Sequence, residues 1–358
     1  MRRAIPTLAC LLVAGVAVID NPHCGGPQRD HTQMALDLVE QGRYEQAVVA
    51  ARRALRQHGS RPDLHLVEAM ALAGAGRPEE SLEAVRSGLE RDPDNPRLHA
   101  ALRDICRQFG LHAAAQPLLS RLVEQRPDSP AVKATLGWIW VQLGEDERGE
   151  DLLQRAAAQG GPTFAHLELA RILQRQERLA EAAEVLAQAL ALEPQHPGLL
   201  LALGQTRLSQ GLPEEARHAF DRSVAASEEP GRAASRVAQA CYEQGHRRLA
   251  IEFYERALDH SPRDAAVQNN LAWTYAEEGV ELDRAVSMAL HAVKQAPDNV
   301  VYLDTYAEVL YRRGQPARAM ALMRRALALE PLDGEHYAYL RSQMGRFSGA
   351  GTGARAVE

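Results

Sequence analysis

Lysine is almost missing from this chain: Lys133 and Lys294 are the only two among 41 basic residues. A Schiff-base or phosphate-loop lysine therefore has two places to sit, and both lie on ordinary helical stretches. Aromatic residues are only 5% of the chain, so a core must rest on Leu, Ala and Val, which suit closely packed helices. Cysteine is sparse as well. Beyond Cys10, which falls in an N-terminal apolar run, Cys24, Cys106 and Cys241 make no self-contained disulfide framework, and Cys106 and Cys241 read as small buried hydrophobes. No Cys or His cluster has ligand spacing, so neither metal nor cofactor is expected. Charge of one sign is not in excess either: 41 Lys and Arg face 47 Asp and Glu, a net of -6, which disfavours nucleic acid as a partner. Phosphate-binding glycine loops, zinc-protease helix motifs and nucleophile elbows are absent, which argues against an enzyme.

Long apolar runs are missing too. The N-terminal one extends only from Leu8 to Ile19, where a membrane span needs ~20 residues. Arg2 and Arg3 precede it and Asp20 ends it, so residues 1–20 read as a secretory signal, with a short anchor as the weaker reading and 21–28 as a linker. Leu12 to Gly15 resembles the start of a lipoprotein box, but Val16 stands where the acylated cysteine belongs, and Asn21, Pro22 and His23 before Cys24 do not match the box. Export to a bacterial periplasm or envelope is the expectation; a cytoplasmic adaptor is the alternative if the segment is not a signal.

What the chain does have is a period. A small residue returns at Ala47, Ser81, Ala115, Gly149, Ala182, Ala216, Ala250, Ala285 and Ala319, in steps of 33 to 35 residues. A second small set, Ala35, Ala69, Gly137, Ala170, Gly204, Ala238, Ala272 and Ala307, runs in phase with it. Each period reads as helix, turn, helix and a short connection, with turn glycines at Gly42, Gly76, Gly110, Gly144, Gly211, Gly245 and Gly314. Connections end at Pro93, Pro127, Pro194, Pro262, Pro297 and Pro331. The small sets face each other across the two helices, allowing an approach of ~8 Å.

This pattern resembles the tetratricopeptide repeat family. In the seventh unit, Gly231 to Pro262, Ala238, Gly245, Ala250, Tyr254, Ala257 and Pro262 match the family's small, turn, aromatic and proline positions. Nine units follow, beginning near Arg29, Pro62, Pro96, Pro130, Thr163, Pro197, Gly231, Ala265 and Val300, and covering 29–331. The resemblance implies an all-α, right-handed α-solenoid of helix-turn-helix repeats. A capping helix over 332–344 and a disordered Gly-rich tail over 345–358 complete the reading. The third unit departs most, with Arg103 and Leu122 where small residues belong.

In that family, first helices line a concave groove. Carried over by position, the groove residues are Leu36, Leu66, Met70, Trp138, Arg171, Gln205, Gln239, Tyr242, Asn269, Trp273 and Tyr311. Val39 joins the first apolar sector, Val141 and Leu167 the one around Trp138, and Tyr242, Trp273 and Tyr311 form an aromatic third; packing of Trp138 and Trp273 against neighbouring repeats stays an equal alternative. The cationic clamp by which some relatives hold a chaperone tail is absent, since no Lys or Arg occupies the fifth position of any unit. His31, His65, His99 and His166 recur at the fourth position, too far apart for one zinc. The resemblance implies a non-enzymatic scaffold binding a protein or peptide partner. Its last two units resemble those of envelope proteins that assist pilus assembly or polysaccharide export. An accessory role in a membrane-bound exopolysaccharide synthase or export complex, and self-association through repeat ends, stay open. Replacing Ala216 or Ala250 by Leu overpacks a helix crossing, with an expected loss of ~1–3 kcal/mol that a melting curve would read.

Overall fold

The computed structural model describes residues 31–331, 334 and 336–349, and contains nineteen helices and no strand among them. The signal segment, the linker, Cys10, Cys24 and the last nine residues of the tail lie outside the described residues. The helices come in pairs. The first four pairs are α1 (His31–Glu40) with α2 (Tyr44–His58), α3 (Pro62–Gly74) with α4 (Pro78–Arg91), α5 (Pro96–Phe109) with α6 (His112–Gln125), and α7 (Pro130–Gln142) with α8 (Asp146–Ala158). Then come α9 (Thr163–Arg175) with α10 (Leu179–Leu192), α11 (Pro197–Ser209) with α12 (Pro213–Ala225), and α13 (Pro230–Glu243) with α14 (Arg247–His260). Last are α15 (Ala265–Glu278) with α16 (Leu282–Gln295), α17 (Val300–Arg312) with α18 (Pro316–Leu329), and a lone α19 (Tyr337–Phe347). This is an all-α helical repeat fold of the solenoid class. Two compact units divide within α10, between Val185 and Leu186.

Local chemistry sets the boundaries. Proline opens α3, α5 and α7, where its missing N–H has no intrahelical partner to lose. Asn95 caps α5, accepting from the N–H groups of Arg97 and Leu98 at 3.2 Å, and Ser129 caps α7 through the N–H of Val132 at 3.1 Å. Between the helices of a pair the chain needs a left-handed residue, which is glycine in most repeats. In the fifth repeat no glycine is available, and Glu177 takes that conformation with φ 61°.

The small positions lie at the crossings. Ala47, Ser81, Ala115, Ala182, Ala216, Ala250, Ala285 and Ala319 are all 0% exposed. Ser81 turns its hydroxyl onto the carbonyl of Ala69 at 2.7 Å, so its polar atom is satisfied inside the crossing. In the fourth repeat the approach is closer still: a Cβ on Gly149 would stand 2.8 Å from the carbonyl oxygen of Gly137. Leucine, valine and a few aromatics fill the space beside these contacts, as where Phe220 and Phe253 meet edge to face at 5.8 Å in the second unit.

The third repeat exists but is splayed. Its α5 and α6 touch much less than the helices of the second or fourth repeat. Leu122, buried where a small residue recurs, adds bulk at the crossing, and Pro117 inside α6 lacks the N–H of a helix interior, while the Arg103 guanidinium extends to Phe164 on α9.

At the other end α19 reaches Phe347, three residues past the expected limit, so the start of the Gly-rich segment is helical. Tyr311 stacks on Phe347 at 4.6 Å and Arg346 pairs with the buried Glu308, which explains the extension. Cys106 and Cys241 are fully buried free thiols, and burial pushes both up to about 12. No described helix is long and apolar enough to cross a membrane. Glu177→Gly should relieve the left-handed strain and raise unfolding stability by about 1 kcal/mol, measured by denaturant titration.

Candidate partner-binding surface

In the first unit, first helices of successive repeats lie against one another, α1 on α3, α3 on α5 and α5 on α7. Side chains at the fifth and ninth positions are caught in that contact. Leu36, Leu66 and Met70 are 8%, 4% and 4% exposed, and Trp138 is 1% exposed. The indole of Trp138 packs against the ring of His112 at 5.3 Å, with the Arg107 guanidinium at 5.8 Å. These residues, with Val39 and Val141, are therefore core, which corrects the expectation of an apolar groove there. Arg171 is exposed but pairs with Glu168 on its own helix.

The second unit differs. Tyr242 on α13 and Trp273 on α15 are both half-buried, and the indole N–H of Trp273 donates to the Tyr242 hydroxyl at 2.8 Å. Burial holds the Tyr242 phenol above its ordinary value, with Glu277 adding to the effect. Arg247 lies over the Tyr242 ring at 5.4 Å and pairs with Glu277 at 2.9 Å. Gln239 is exposed one turn before Tyr242 and accepts from the Tyr254 hydroxyl at 2.9 Å. Gln205 is half-buried, and Asn269 is 4% exposed with its carbonyl oxygen unpartnered. Tyr311 is taken by α19 through the Phe347 stack. Thus the structure brings together Gln239, Tyr242 and Trp273, with Asn269 one turn before Trp273 on α15, and separates Tyr311 from them by giving it another partner.

The recurring histidines go to separate tasks. His65 meets the Ser60 hydroxyl at 2.7 Å. His99 donates from Nε2 to the carbonyl of Pro93 at 2.6 Å, while its Nδ1 faces the Thr135 hydroxyl at 2.9 Å. No group of three metal-ligating residues occurs among the described residues.

Sequence reasoning missed one feature. A cavity of about 510 Å³ opens beside the splayed third repeat, lined by His99, Arg103, Pro130, Gly161 and Phe164 among others. Arg103, out of pattern at a small position, was the signal that could have found it.

Models described as tetratricopeptide repeat match residues 38–105, 107–172, 173–241, 236–300 and 300–344. The chain belongs to the tetratricopeptide repeat family. Tetratricopeptide repeat domains bind protein or peptide partners and are generally non-catalytic scaffolds. Solved structures similar to the chain include YrrB, a tetratricopeptide repeat protein with an unusual peptide-binding site, at 18% identity over 51% of this chain and 92% of that one, with a TM-score of 0.37. Yeast Tom70 is similar at 14% identity over 89% and 81%, TM-score 0.48. A tetratricopeptide repeat protein from Parabacteroides merdae is similar at 15% over 79% and 98%, TM-score 0.45. No curated protein sequence matches the chain.

Burial drives the His99 imidazole down to about 4, and the nearby Arg103 charge acts in the same direction. A depressed folded value favours the neutral ring, so this contribution is present above pH ~6.5 and is lost as pH falls from there through 4. A melting series should show acid destabilisation on the order of 3 kcal/mol from this group, flattened in His99→Gln.

Proposed function

We propose that this tetratricopeptide repeat protein is a non-enzymatic scaffold of a bacterial envelope, and that it holds a peptide or helix of a partner against the first helices of its second unit. The hydrogen-bonded Tyr242 and Trp273 carry the reading: two half-buried aromatic rings on successive first helices present apolar faces, with polar edges already fixed and Gln239 open beside them. Rigid, partly desolvated aromatics of this kind anchor partners at little entropic cost. Because each edge is already bonded, the rings are held in place before a partner arrives, and less freedom is lost on binding.

The envelope assignment rests on Arg2, Arg3 and the run from Leu8 to Ile19. Roles in pilus assembly, polysaccharide export or a membrane enzyme complex are finer forms of the same proposal. Trp273→Ala and Tyr242→Ala should each lose the same client from an affinity pull-down with the mature protein, by roughly tenfold or more in affinity for a buried aromatic anchor; unchanged recovery removes this sector from the binding surface. Intact mass of the fractionated protein tests export, since an unprocessed N-terminus in the cytoplasm defeats it.

A further inference from the structure

The cavity beside the third repeat holds a cation with no partner. Arg103 is largely buried, its Nη1 is sealed from solvent without a hydrogen bond, and burial lowers its pKa to about 10, so it stays charged near neutrality. The carboxylates within electrostatic reach are committed elsewhere: Asp104 to Arg107 at 3.5 Å, and Glu168 to Arg171. Asp94, also in the wall, accepts from the Ser129 hydroxyl. The Arg103 guanidinium instead lies over the Phe164 ring, its Cζ 3.7 Å from the centroid. That cation–π contact holds the guanidinium over the ring while supplying no counter-charge. His99, the other titratable group in the wall, is held neutral and has both ring nitrogens engaged, so it neither competes for an anion nor repels one.

The rest of the wall is apolar or backbone: Pro96, Pro130 and Ala131, then Gly160, Gly161 and Pro162 leading into α9. A half-buried guanidinium with no ion pair is costly to keep, and an oxyanion entering the cavity would relieve that cost. One fixed cation with Asp94 nearby suits a single negative charge better than a doubly charged phosphate, and prolines beside Phe164 suit an apolar chain next to that charge.

We propose that this cavity binds a carboxylate carried by a peptide segment, with the Arg103 guanidinium as its counter-ion and Phe164 as the platform that orients the fork. The proposal rests on the scaffold reading and gives the first unit a recognition site of its own. None of its charge comes from the fifth-position groove residues, which carry no Lys or Arg. With a small residue at 103, the pattern of the other repeats would leave neither cation nor stack.

Four probes at equal ionic strength test it by calorimetry and by NMR of the full chain: N-acetyl-leucine, a terminal carboxylate; N-acetyl-glutamic acid α-amide, a side-chain carboxylate; N-acetyl-leucine amide, which has neither; and inorganic phosphate. Saturable binding of one or both carboxylates, with shifts at the Arg103 Nε–H and the Gly161 and Phe164 amides, and at least tenfold weaker binding of the amide, is expected. Which carboxylate binds more tightly identifies the source. Arg103→Met should weaken carboxylate binding by roughly tenfold or more, while folding at least as stably as the parent because it removes an unpaired buried charge. Arg103→Lys keeps the charge without the flat fork and should fall between them. Equal binding of acid and amide, binding that survives Arg103→Met, or tighter binding of inorganic phosphate would overturn the proposal. Client capture through Tyr242 and Trp273 is a separate readout in the other unit: its loss with carboxylate binding intact sinks the scaffold sector alone, and the reverse sinks the cavity alone.

Discussion

Everything in this protein depends on how close the two helices of a repeat can come. A helix pair of this length has too little surface to be stable alone, so it must bury one helix against its mate and the pair against its neighbours. Alanine, serine or glycine at the crossing removes the steric floor, and backbone then meets backbone, as Gly137 and Gly149 show. Apolar side chains beside the crossing fill the gaps that remain, which is how a chain poor in aromatics still builds a continuous core in its second unit from Leu208 to Phe347.

The same constraint explains where chemistry can appear. In the first unit, stacking of first helices swallows positions that would otherwise face a partner. Leu36, Leu66, Met70 and Trp138 are spent in this way. In the third repeat Arg103 reaches from α5 to Phe164 on α9, and it lines a cavity shared by the starts of α5, α7 and α9. Around α13 and α15 the rings of Tyr242 and Trp273 are too large to be wholly enclosed, and they satisfy each other's polar atoms at the edge.

Charge is handled locally throughout. Arginine replaces lysine almost everywhere, and its planar fork makes bidentate or stacked contacts between neighbouring repeats: Arg52 bridges Glu68 and Glu80, Arg178 bridges Glu150 and Glu181, and Arg346 joins Arg312 on Glu308. Most of these sites are exposed and contribute little to stability singly. Glu308 is the most enclosed of these carboxylates, and two guanidinium groups share it, which ties α17 to α19.

The period of small residues, the proline starts and the turn glycines were enough to fix the repeat frame, since each is a local requirement of a helix end or a crossing that one residue type meets. First helices begin at Pro62, Pro96, Pro130, Thr163, Pro197, Ala265 and Val300, as the frame requires, because a helix start is decided within a few residues. Burial is not decided locally. Whether a tryptophan at the ninth position faces outward or inward depends on how tightly the next first helix is pressed against it, so Trp138 and Trp273 share a position in the frame yet only Trp138 is enclosed. Likewise Arg103 stood out in the sequence as a misfit, but its lack of a counter-charge became visible only when Phe164, Asp104 and Glu168, scattered along the chain, were brought around it and the two acids were seen to be paired with other arginines. Helix identity follows from neighbours in sequence; enclosure and unpaired charge follow from neighbours in space, and those are set by packing alone.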